Sequence, residues 1–163
     1  MGLDQFFHKC KRHEWDAYQN ELEAYDKLSV EEQEKTEHPN HTFNPEEIGY
    51  FRKVNFLMNE FAYYGNCEYK EISRDELKEL QEKCARVNAI SPINPQDDEN
   101  DWCYEEGDIE LAKKLLPTCS GFFYGNTDYN YWYFYDVHEV LEWVTGVRKN
   151  LADDEVVLMY CWW

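Results

Sequence analysis

The chain has no long apolar run. No stretch approaches the roughly 18 residues that cross a bilayer, so a membrane-spanning helix is not expected. Basic side chains are scarce, with 16 Lys and Arg against 34 Asp and Glu, for a formal charge of -18. A field of that sign repels phosphate and anionic lipid, which argues against direct nucleic-acid or membrane binding. Glycine and proline are few, at 7 and 5 in 163 residues, which argues against a linker-like or low-complexity chain. Nucleotide and catalytic signatures are missing too. The chain contains neither a phosphate-binding P-loop nor a dinucleotide fingerprint. Ser120-Gly121 is not part of a Gly-x-Ser-x-Gly elbow. His8-x-Cys10-x-x-His13 matches no standard zinc spacing, so neither metal nor cofactor is expected.

What is abundant is aromatic surface. Aromatic residues make up 17% of the chain, and the hydrophobic total is 43%. At this length that predicts one compact domain with its own core. Polar segments near 29–42 and 91–107 read as mobile surface stretches. The start Met1-Gly2-Leu3-Asp4-Gln5-Phe6-Phe7-His8 has no apolar h-region, and Phe6 breaks the myristoylation pattern. Six cysteines without short regular spacing then read as reduced thiols, and the expected compartment is a cytoplasm.

Periodicity predicts strands at 3–8, 68–72 and 156–163, and helices at 14–28, after Ser73, from Asp108 to Pro117, and from Asp136 onward. Asn44-Pro45 with Glu47 resembles a helix start, predicting a central, mostly buried helix over 45–64. Residues 120–124 and 131–135 alternate around the turn Gly125-Asn126-Thr127-Asp128 and predict an aromatic β-hairpin. The sum is an α+β fold, a small antiparallel sheet packed with four to five helices.

Three blocks carry a resemblance: the start Met1-Gly2-Leu3-Asp4; Glu47-Ile48-Gly49-Tyr50-Phe51-Arg52-Lys53-Val54-Asn55 followed by Asn66-Cys67; and Ser120-Gly121-Phe122-Phe123-Tyr124-Gly125-Asn126-Thr127-Asp128-Tyr129. In this order the chain resembles a widespread family of small proteins encoded by bacteriophages and prophages. The resemblance implies a phage context, hence a bacterial host cell, and one compact domain, and it implies no reaction. The tail Tyr160-Cys161-Trp162-Trp163 departs from the Ser-Ser-Trp-like ending of that family.

Two regions emerge as candidate sites. Tyr50, Arg52, Lys53 and Asn55 place two cations and an amide among apolar residues. One reading is internal pairing, for instance of Arg52 with Asp4 or Asp128. The other is an anion pocket for a nucleotide or phosphorylated metabolite, with Arg52 as a fork and Lys53 as a point charge. The turn residues Ser120, Tyr124, Asn126, Thr127, Asp128 and Tyr129 would complete that pocket or form an aromatic contact surface. With so acidic a chain and no catalytic motif, the leading expectation is a non-enzymatic accessory protein. It would bind, and by binding inhibit, a host protein with a basic surface, in a defence or nucleic-acid-handling system.

Overall fold

The computed structural model describes residues 2–63, 65–93 and 106–163. Along the chain run β1 (Asp4–Lys11), α1 (Arg12–Asp26), α2 (Val30–Gln33), a 3-10 turn (Pro39–His41), β2 (Glu46–Arg52), α3 (Phe56–Glu60), β3 (Tyr69–Ile72), α4 (Arg74–Ile90), α5 (Glu106–Leu115), α6 (Tyr131–Asn150) and β4 (Glu155–Trp162). The four strands form one antiparallel sheet in the order β2-β1-β4-β3. The fold is α+β as expected, with six α-helices among the described residues, two of them only one turn long.

Strand alternation sends successive side chains to opposite faces. On one face Leu3, Phe7, Ile72, Val157, Met159 and Cys161 meet α3, α4 and α6, making the main core. There α4 contributes Leu77, Leu80, Cys84 and Val87, and α6 contributes Val137, Val140 and Val144. On the other face Cys10, Val156 and Leu158 meet Trp15 and Tyr18 of α1, with Phe43 and Tyr69 closing a smaller cluster. Helices therefore pack on both sides of the sheet, but α1 covers only part of its side.

Two expectations are corrected. Residues 45–64 are not one helix. The chain there is β2, a turn through Lys53 at φ 63°, and the short α3. The capping signal of Asn44 and Glu47 loses to strand pairing with β1. Gly49 shows why: a Cβ there would lie 2.4 Å from the Trp143 Nε1 atom, so the strand must pass the indole bare. Nor do 120–124 and 131–135 form a hairpin. Residues 117–130 are irregular, and Asn130 starts α6 by accepting a hydrogen bond from the Tyr133 N–H at 3.3 Å. Tyr131, Phe134, Val137, Val140 and Val144 recur at helical spacing, and burial against α4 overrides the strand preference of the aromatics. The helix thus begins ahead of Asp136.

Residues 29–42, read as loop, carry α2 and the 3-10 turn; Ser29 and Glu32 form a capping box. Most of the 91–107 stretch lies outside the described residues.

Candidate functional site

The sequence blocks singled out above converge at one end of the sheet. Leu3 donates its N–H to the Phe123 carbonyl at 2.9 Å and accepts from the Lys53 N–H at 2.8 Å. The Gln5 amide, fully buried, clamps the Val54 backbone through two bonds of 3.1 Å. The start of β1 therefore holds both the exit of β2 and the 117–130 segment.

Tyr50 and Arg52 project from β2 beside Asp4. The Tyr50 hydroxyl donates to Asp4 Oδ1 at 2.6 Å, and this bond is the main cause of its raised pKa. Arg52 Nε lies 3.8 Å from the same oxygen, a single loose ion pair rather than a two-toothed fork. Its side chain stays 57% exposed, so the pair contributes little to stability. Lys53 runs its stem past Gly125, which adopts φ 87° and leaves no free space for a side chain.

Asn55 is buried and fully engaged. Its amide nitrogen donates to the Asn126 carbonyl at 2.8 Å and the Tyr124 carbonyl at 3.3 Å, and its oxygen accepts from the Cys119 N–H at 3.2 Å. It clips the 117–130 segment to the start of α3 instead of facing a ligand. That segment is braced further. Tyr129 accepts from the Thr118 N–H at 3.0 Å, Thr118 donates to the Thr127 carbonyl at 3.1 Å, and Asn126 accepts from the Asp128 N–H at 2.8 Å. Tyr124 is buried, its ring 5.8 Å from that of Trp163. Ser120, Asn126, Thr127 and Asp128 are exposed.

Arg52, Lys53, Asn126 and Asp128 border a cleft of about 170 Å³ that also includes Trp132 and Asp136. Sequence reasoning missed both of these. Asp136 was read as the start of the last helix; because α6 already begins at Tyr131, the residue instead lies inside the helix, as an acid on a largely buried turn. Among the described residues its carboxyl has no hydrogen-bond or ion-pair partner. Burial, with a smaller contribution from Glu139, pushes its pKa up to about 7. The cleft is small beside the roughly 300–1,000 Å³ of ordinary ligand sites.

The larger feature is aromatic. On the sheet face shared with α1, Tyr50, Phe6, Tyr160 and Tyr69 form a row across all four strands, open at its Tyr50 end and covered at its Tyr69 end by Tyr18 and Phe43. Successive ring centroids lie 5.1, 6.4 and 4.9 Å apart. The next row is Arg52, Asp4 and Trp162, by strand register. Tyr50 is 48% exposed and Trp162 53% exposed. Phe122, at the same end of the molecule, is almost wholly in solvent. Phe6 and Tyr160 are half-buried between Tyr50 and Trp162, so the patch is continuous rather than a set of single exposed aromatics. Phe6, Tyr69 and Tyr160 were visible in the sequence only as strand residues. Their register was not.

Among the described residues no group of three or more His, Cys, Asp or Glu side chains is placed to hold a metal, and no helix is long and apolar enough to cross a membrane. Comparison of the chain with protein-family models, with curated proteins and with solved structures finds no match.

Proposed function

We propose that this protein is an acidic interaction module that docks onto the basic surface of another protein. The observation that carries the reading is the aromatic patch of Tyr50, Phe6 and Tyr160, with exposed Trp162 beside it, on a chain of formal charge -18. Tyr and Trp are preferred anchors at protein interfaces, and Lys or Arg side chains of a basic partner stack on their faces. The net charge steers such a partner in and turns nucleic acid away. The resemblance of the three sequence blocks to phage-encoded proteins supports a host protein as that partner. A defence or nucleic-acid-handling protein has the required basic groove, and occupying that groove inhibits it. The place of action on this reading is the bacterial cytoplasm.

The test is capture of partners by the tagged protein from host lysate at low and high salt, with Tyr50→Ala/Trp162→Ala alongside. A basic protein retained at low salt, released at high salt and lost with the double variant is the expected result. Partners that are indifferent both to salt and to the double variant sink the reading.

A second reading is favoured by Asp136. A carboxyl without a partner, in a cleft bordered by Arg52 and Lys53, suits a small polar ligand. A small molecule eluting with the purified protein, and absent from Asp136→Asn, would shift the assignment there.

A further inference from the structure

A second concavity lies on the main-core side of strand β2, between that strand and the C-terminal half of α6. It holds about 370 Å³, within the roughly 300–1,000 Å³ of binding sites. Its floor is apolar: Ile48, Trp143, Val147 and Leu151, each half-buried and packed against the main core. Trp143 is fixed there by donating its indole N–H to the Ile48 carbonyl at 2.9 Å. Gly146 lies on the α6 wall, and a Cβ placed on it would meet nothing within 4 Å, so the wall is open at that point.

The rim is acidic. Glu46 is held by Lys9 at 3.4 Å. Glu47 and Glu142 also line the groove; among the described residues neither is in a salt bridge, though Glu47 lies within electrostatic reach of its cross-strand partner His8. An apolar floor under a rim of carboxylates matches Lys or Arg side chains, whose stems lie along apolar surface while their charged heads reach outward. It also matches a neighbouring apolar residue seated on the floor.

Strand β2 is an edge of the sheet, but it is a poor template for an added strand. Its pairing with β1 shifts register between Phe7 and His8, Glu46 and Glu47 charge its beginning, and Trp143 occupies the Ile48 carbonyl. These are devices that blunt a sheet edge. An occupant therefore lies in the groove rather than extending the sheet.

We infer that this groove receives a basic amphipathic segment of the partner, with an apolar side chain on the Ile48–Leu151 floor and Lys or Arg at Glu47 and Glu142. The inference rests on the reading of a basic protein partner and gives that partner a second point of attachment, across β2 from the aromatic row.

The probe is a synthetic amphipathic Leu/Lys helix, compared with a Lys-only peptide of equal charge, by titration calorimetry on the intact protein. Gly146→Trp fills the groove from a position with open space, and its melting curve reports whether the fold survives. Glu47→Gln/Glu142→Gln is the independent second variant. The expected result is that the Leu/Lys helix binds at least about tenfold tighter than the Lys-only peptide, and that either variant removes this preference. Equal binding of the two peptides, or undiminished preference in both variants, overturns the groove. Tyr50→Ala/Trp162→Ala should leave the peptide preference intact. If salt-sensitive capture of a basic partner persists while the peptide preference is absent, the groove assignment falls alone. If that capture is itself absent, the broader reading falls.

Discussion

Asp136 sits where burial disfavours the charged form of its side chain. Burial pushes its pKa up to about 7, from the ordinary aspartate value of about 3.9. Between these two pH values the folded protein keeps a proton that the unfolded chain has released. Stability contributed by Asp136 is therefore lost as pH rises through that window, the reverse of a salt-bridged carboxylate. Asp136→Asn should flatten the decline and make the protein more stable than wild type at pH 8, while leaving it little changed at pH 4. Urea denaturation at the two pH values measures this, and an unaltered pH slope in the variant would contradict it. Asn55 makes the opposite point. The sequence marked it as an amide among apolar residues, but its three backbone bonds to the 117–130 segment depended on a long-range meeting. Residue type was legible, and the partner was not.

Elements held where their signals were local. Ser73 accepts from the Glu76 N–H at 3.1 Å while Glu76 accepts from the Ser73 N–H at 2.7 Å, so the capping box read from sequence opens α4. Ser73→Ala should cost about 1 kcal/mol by chemical denaturation, because α4 packs its whole apolar face into the core. The similar box at Ser29 and Glu32 opens α2, which buries no residue. Ser29→Ala should leave the denaturation midpoint within error. Together the two variants separate a cap on a docked helix from a cap on a free turn. Where elements were misread, tertiary pairing had overruled a local preference. The Asn44-Pro45-Glu47 signal gave way to pairing with β1, and the Tyr131–Tyr135 run gave way to packing on α4. The strands β1, β3 and β4 were readable because each alternates against two covered or half-covered faces. Their order in the sheet, and with it the aromatic row, is set by pairings between segments far apart in the chain, which periodicity does not encode.

At the scale of the molecule, charge dominates. A formal charge of -18 makes the compact state repel itself, and salt relieves that repulsion. Melting temperature should rise by on the order of 5 °C between about 0.02 M and about 0.3 M salt. A fall on adding salt would show that ion pairs such as Lys83–Glu60, at 2.9 Å, outweigh the general repulsion. The same salt that stabilises the protein would weaken its hold on a basic partner, so the two effects run in opposite directions in one titration. The sheet order has a further consequence. The two central strands are β1 and β4, the earliest and the latest in sequence, paired from Asp4 with Trp162 to Lys11 with Glu155. During synthesis the ribosome releases β1 long before its central neighbour exists. Helices α1 and α4 can form on the nascent chain, but the central β1–β4 pairing must wait for β4 to emerge, leaving one edge of β1 unpaired until then.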